Sequence, residues 1–270
     1  MPKNINVLVC GAAGKMGQCV IRAVDAEAGF KLVGAVDRSE NPNIGKDIGI
    51  ICGINETGVK LSGDLKEAIT KTNPDVMVDF TMPEIVIVNA QTALKSGVRA
   101  VIGTTGMTKD DISELSKISK QNQSGAIVAP NFALGAILMM RFAKEASRYF
   151  SCAEIIEYHH DKKLDAPSGT SIKSAELMAQ SRKEFGRDSV KGKETIKGAR
   201  GSIADGNIHI HSIRLPGIIA NQEIIMGMLG QTLTIRHDTF DRTAFMPGVL
   251  MAVKQVMELD HLVYGLENII

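Results

Sequence analysis

The stretch that most constrains this chain is its first apolar run and the turn behind it. INVLVC at 5–10 is followed by Gly11-Ala12-Ala13-Gly14-Lys15-Met16-Gly17 and then by a helical pattern from about Lys15 to Glu27. A Val/Ile/Leu run broken only by Asn6, rather than alternating with polar residues, suits a strand buried on both faces. Glycines spaced through the turn let the next helix fold back close against that strand. Strand, glycine turn and helix in this order open a βαβ unit, and a βαβ unit implies a parallel sheet.

The pattern repeats through the first half. KLVGAVD (31–37), DVMVDFT (75–81), VRAVIGTT (98–105) and AIVAPNF (126–132) are apolar runs, with helical stretches after Pro83 and from about Lys109 to Lys120. They predict an α/β domain with a doubly wound, Rossmann-like parallel sheet. After about Asn131 the pattern changes. A helix over 134–148 leads into AEIIEYHH, then a helix over about 170–183, then NIHIHSIR (207–214), QEIIMGML (222–229) and TLTIRHD (232–238). IHI alternates and only Gly230 and Gln231 part the last two runs, so a second α+β domain with a mixed or antiparallel sheet is expected. Residues 182–202, rich in Lys, Arg and Gly, read as a mobile surface loop. The helical run over 242–259 is expected to return to the first domain. The domains are accordingly placed at 1–130 with 241–270 and at 131–240.

Composition narrows the function. With 31 basic and 30 acidic residues the net charge is +1, which gives no broad electrostatic footprint for nucleic acid. The N-terminal apolar run is far too short for a signal core or a membrane span. Cys10, Cys19, Cys52 and Cys152 form no CxxC pair, so structural thiols in a reducing cytoplasm are expected rather than a metal or redox site.

Aligned on its last two glycines, the turn is a G-x-G-x-x-G fingerprint with Ala12 in the first position. Gly14 then lets backbone approach a pyrophosphate, Gly17 lets the helix pack close, and the helix start supplies NH donors. Asp37, at the end of the second strand, suits the hydroxyls of a ribose, while Arg38 beside it suits a 2′-phosphate. NADH, NADPH or both are therefore the expected cofactors. Gly103-Thr104-Thr105 and Ala129-Pro130-Asn131-Phe132 end strands at the carboxyl edge of the sheet, where open α/β folds bind ligands.

YHHDKKLDAPSGT at 158–170 admits three readings. A metal site wants converging ligands, whereas His159 and His160 point to opposite faces of a continuing strand, and no HExxH or Cys partner accompanies them. The second reading is a strand end followed by a helix capped by Ser168 or Thr170. The third is an anion site. The helix start at Ser168, Gly169 and Thr170 holds a carboxylate, while Lys163 and a histidine supply charge and a proton. A nicotinamide domain upstream favours the third.

VLVCGAAGKMG, VDFTMPE, VIGTTG, APNFALG and above all EYHHDKKLDAPSGT run in this order along the whole chain, which resembles the 4-hydroxy-tetrahydrodipicolinate (dihydrodipicolinate) reductase family of lysine and diaminopimelate synthesis. The resemblance implies proton exchange at His159 and Lys163 and substrate carboxylates held by His160, Gly169 and Thr170. It implies cofactor contacts at Gly11, Ala12, Ala13, Gly14, Lys15 and Met16, at Asp37 and Arg38, at Gly103 through Thr105 and at Ala129 through Phe132. It further implies a small dicarboxylate substrate met between the domains and a cytoplasmic homotetramer. Asn221 stands where related sequences often carry histidine, and Arg242 resembles a family arginine near the cleft. Another carboxylate dehydrogenase, or a sensor that binds NAD(P) without turnover, remains compatible with the residues alone.

Overall fold

The computed structural model describes residues 4–186 and 193–270. In chain order the elements are β1 (Ile5–Cys10), α1 (Lys15–Ala26), β2 (Phe30–Val36), α2 (Ile48–Cys52), β3 (Leu61–Ser62), α3 (Leu65–Thr72), β4 (Val76–Asp79), α4 (Pro83–Lys95), β5 (Arg99–Ile102), α5 (Lys109–Asn122) and β6 (Ala126–Val128). Then come α6 (Leu134–Ala146), β7 (Cys152–His159), α7 (Gly169–Ser181), β8 (Ser202–Ala204), β9 (Ile208–Arg214), β10 (Ala220–Met228), β11 (Gln231–Thr239), α8 (Met246–Gln255) and β12 (Leu262–Tyr264). The chain divides into two compact units, Met1–Phe132 with Phe245–Ile270, and Ala133–Ala244.

The first unit holds a seven-stranded sheet in the order β12-β6-β5-β4-β1-β2-β3, and every pairing in it is parallel. Val7, Leu8 and Val9 of β1 and Val76, Met77 and Val78 of β4 are fully buried, as helices on both faces require. Local chemistry ends the helices where it should. Thr108 and Asp111 exchange side-chain and backbone hydrogen bonds at the start of α5, and Pro83 opens α4, where its missing N–H costs nothing. The strand order reverses direction between β1 and β4. This places the carboxyl ends of those two strands, Cys10 and Asp79, at the topological switch point where doubly wound sheets bind ligands.

The second unit holds a mixed five-stranded sheet, β11-β10-β7-β9-β8. Ile155, Ile208, Ile210, Ile224 and Met226 form its packed face, against Met139 and Ala143 of α6 and Ala175 and Met178 of α7. β9 departs from the antiparallel expectation: it runs parallel to β7. The path from β7 to β9 goes through α7, and a helical crossover returns the chain in the same direction. Alternation in IHI reports only that one face is packed, which either direction satisfies. The hairpin between β10 and β11 also turns one residue earlier than expected, on Leu229 and Gly230, so that Gln231 pairs with Met228.

Of the expected loop over 182–202, residues 187–192 lie outside the described residues. Its described ends are anchored. Phe185 is buried against α7 and β9, its N–H donates to the Gly206 carbonyl (2.8 Å), and Arg200 pairs with Glu154. Among the described residues, no helix is long and apolar enough to cross a membrane.

Candidate active site

In the first unit the glycine turn forms one wall of a cavity of about 470 Å³ at the carboxyl ends of β1, β2 and β4. Gly11, Ala13, Gly14, Asp37 and Arg38 line it, together with Phe80 and Thr81. The tight turn falls on Gly11 rather than on Ala12. Gly11 has φ +71°, and a Cβ there would lie 2.5 Å from the Phe80 carbonyl oxygen, so neither the backbone angle nor the space admits a side chain. Ala12 is fully buried, its N–H on the Val36 carbonyl (3.0 Å). Gly17 leaves no room for a side chain either, since a Cβ would sit 2.1 Å from the Gly11 carbonyl oxygen.

Asp37 ties this turn to β2. Its carboxylate accepts from the Ala13 N–H (3.0 Å), the Arg38 N–H (3.0 Å) and the Asn41 side-chain amide (3.2 Å). Gly14 caps α1 without a side-chain hydrogen bond, and the first turn of α1, with Lys15 and Met16, carries no acidic residue. That helix start therefore keeps its backbone donors and its positive end for an anion. Gly11, Gly14, Asp37 and Arg38 fit a dinucleotide: a glycine cradle for phosphates, an aspartate for ribose hydroxyls and an exposed guanidinium for a 2′-phosphate.

The segments at 103–105 and 129–132 do not line this cavity but connect to it through Phe80. The Phe80 ring fills the space a Gly103 side chain would occupy, and its centroid lies 5.8 Å from that of Phe132. Thr104 is buried and donates to Asp79 (3.0 Å), Ala129 donates to the Ile102 carbonyl (3.0 Å), Asn131 is half-buried, and Thr105 and Pro130 are exposed. Asp79, which no sequence motif singles out, is a fully buried carboxylate that also accepts from Thr81 and Asn89 and so gathers the loops after β4 and β5.

In the second unit, β7 ends at His159 and His160 lies beyond it, exposed. The centre of this region is Glu157, two residues back on the packed face of β7 and completely buried. Its Oε2 accepts from His159 Nδ1 (2.5 Å) and Arg214 Nη1 (2.8 Å). Its Oε1 accepts from Arg214 Nη2 (2.8 Å) and the Ser168 N–H (3.2 Å). Burial alone would push the Glu157 carboxyl up, but the bonds from His159, Arg214 and Ser212 outweigh it and hold the group at about 2. Ser168 is buried, and its hydroxyl caps α7 by accepting from the Ser171 N–H (3.2 Å). Gly169 is exposed and Thr170 half-buried in the first turn of α7. Lys163, its side chain 21% exposed, donates to both oxygens of Asp165 (2.7 and 2.8 Å), which holds that carboxyl below its ordinary range. Asn221 accepts from the Thr239 N–H (3.1 Å) and so ties β10 to β11, while Arg242 is exposed in a short 3-10 turn. Among the described residues no group of three or more His, Cys, Asp or Glu is arranged to hold a metal ion.

Two family models cover nearly all of this architecture: dihydrodipicolinate reductase, N-terminus, over residues 5–132, and dihydrodipicolinate reductase, C-terminus, over residues 135–270. The chain belongs to the dihydrodipicolinate reductase family. It is 50% identical over 267 residues to the 4-hydroxy-tetrahydrodipicolinate reductase of Desulfitobacterium hafniense (strain DSM 10664 / DCB-2), covering 98% of both chains. It is 47% identical over 268 residues to that of Bacillus subtilis (strain 168), covering 99% of this chain and 98% of the relative. A dipicolinate-bound dihydrodipicolinate reductase from Paenisporosarcina sp. TG-14 superposes with a TM-score of 0.87 at 43% identity, over 99% of this chain and 100% of that one. An amine dehydrogenase from Mycobacterium smegmatis, 14% identical at a TM-score of 0.68, shares the fold alone.

Within the dihydrodipicolinate reductase signature at 157–170, the histidines, the lysine and the turn stand out by their chemistry, and Glu157 does not. A signal was present. Glu157 and His159 are two apart on a strand and therefore share a face. Arg214, 57 residues further on, carried no comparable sign.

Proposed function

We propose that this chain reduces the 4-hydroxy-tetrahydrodipicolinate (dihydrodipicolinate) intermediate to tetrahydrodipicolinate in lysine and diaminopimelate synthesis, using NADH or NADPH. The observation that carries this is the placing of His159, held by an ionised Glu157, whose carboxylate is in turn bonded to the helix start at Ser168.

Gly11 through Met16 would hold the pyrophosphate, with Asp37 and Arg38 at the adenosine ribose and Gly103–Thr105 and Ala129–Phe132 toward the nicotinamide. When bound, the reduced cofactor supplies hydride. The chain's own residues manage the substrate. The first turn of α7, at Gly169 and Thr170, and the His160 side chain bind a carboxylate, with Ser168 shaping that turn by its cap. One proton accompanies the hydride and the 4-hydroxyl leaves as water; His159 gives or takes that proton, and Lys163, released from Asp165 by the arriving anion, serves as proton donor and offsets negative charge as it develops. In this reading the region 1–130 with 241–270 binds the dinucleotide, and 131–240 binds substrate and assembles a cytoplasmic homotetramer.

The test generates the intermediate from aspartate semialdehyde and pyruvate with a coupled synthase and follows the nicotinamide absorbance. Wild type consumes NADH, NADPH or both. His159→Ala and Lys163→Ala each lose about 100-fold or more in kcat, the usual size of a general acid–base contribution. Nucleotide binding without turnover would instead indicate a sensor, and turnover confined to another carboxylated substrate would indicate a different dehydrogenase.

A further inference from the structure

We infer that Glu157 and Arg214 are positioning residues for His159, holding its Nδ1 so that Nε2 is the nitrogen that exchanges a proton. This rests on the role proposed for His159. Glu157 is fully buried, and each of its two oxygens already accepts two hydrogen bonds, from His159 Nδ1 and Arg214 Nη1 on one side and from Arg214 Nη2 and the Ser168 N–H on the other. A carboxylate fixed by a bidentate guanidinium has one orientation, and an imidazole bonded to it at Nδ1 has one tautomer and a restricted ring plane. Arg214 is fixed in turn, since Nη2 also donates to the Asp165 carbonyl (2.7 Å) and Nη1 to the Ile213 carbonyl (2.8 Å). The start of α7 has its own support as well, the Ser168 hydroxyl accepting from the Ser171 N–H (3.2 Å), so the carboxylate-binding turn does not depend on Glu157 alone. Neither Glu157 nor Arg214 need touch substrate to position His159.

Glu157→Gln tests it without changing shape. A glutamine offers one oxygen where the carboxylate offers two, so whichever way the amide turns, its NH₂ faces two donors. Wild type, Glu157→Gln, Arg214→Lys, His159→Ala and the Glu157→Gln/His159→Ala double variant are assayed at saturating reduced nicotinamide, with pyridine-2,6-dicarboxylate binding measured by calorimetry on the same proteins. Glu157→Gln is expected to lower kcat by about 100-fold, while KM and dicarboxylate affinity stay within about fivefold. Arg214→Lys keeps the charge but loses the fork, and kcat falls about tenfold. It also carries the test should Glu157→Gln fail to fold. The double variant is expected to be no slower than His159→Ala, because a residue that acts through His159 has nothing left to position. Losses that add in the double variant, unchanged kcat in Glu157→Gln and Arg214→Lys, or KM and dicarboxylate affinity collapsing with kcat would each overturn the inference. Absence of wild-type turnover overturns instead the reading on which it rests.

Discussion

Glu157 shows how a single residue links folding to chemistry. Its carboxyl is held at about 2 against an ordinary 4.5, so the folded state prefers the ionised form. For a depressed carboxyl the sign is fixed: the stabilisation is fully present above pH 4.5, where the unfolded chain is also ionised, and it drains away as the pH falls through about 2. Urea midpoints of wild type and Glu157→Gln should therefore differ most above pH 5 and draw together toward pH 2, and a constant gap over that range would contradict the assignment. The sequence announces His159, Lys163 and the Ser-Gly-Thr turn because their chemistry is local and crowded into thirteen residues. It shows Glu157 only as a spacing of two, and hides Arg214, because a partner 57 positions away becomes one only once β7 and β9 pair in parallel.

At the scale of elements, strands that run as apolar stretches are the most legible part of the chain: β1, β4, β5 and β6 fall within segments that the pattern marks, and β2 begins one residue ahead of its segment. The short pieces between Asp37 and Asp75 are not. α2 is held by the Asp47 carboxylate capping it and β3 is two residues long, so neither has room for a periodicity. The glycine turn is legible as a motif but not in the duties of its members. Space divides them: an added Cβ at Gly14 meets only the Gly11 carbonyl, at 3.1 Å, whereas at Gly17 it meets the same atom at 2.1 Å and Ala12 Cα at 2.8 Å. Gly14→Ala is accordingly expected to raise the nicotinamide KM about tenfold or more with little change in melting temperature. Gly17→Ala pushes α1 off the sheet and costs on the order of 2 kcal/mol as well, by overpacking. Thermal melts with nucleotide titrations separate the two, and equal destabilisation by both would refute the division.

At the scale of the whole chain, the first unit is assembled from segments on either side of the second. Its edge strand β12 pairs with β6, more than 130 positions earlier, and α8 approaches the backbone so closely that a Cβ on Gly248 would fall 2.1 Å from the Phe132 carbonyl oxygen. Gly248→Ala should therefore destabilise the first unit by about 2 kcal/mol. Hydrogen exchange is expected to quicken at Ala126–Val128 while Ile224 and Met226 of the second unit keep their protection. Uniform loss across both sheets would contradict this. The sequence suggested such a return through the helical run over 242–259, but not the strand after it, since LVY is too short to stand out.

The placing of β12 also sets an order of events during synthesis. A ribosome makes β7 through β11 before it makes the strand that closes the first sheet, so a nascent chain halted near residue 245 carries every strand of the later unit and an earlier unit whose β6 edge lies open. The part of the protein begun first is finished last, and for that interval an unpaired parallel edge is exposed to whatever else is folding nearby.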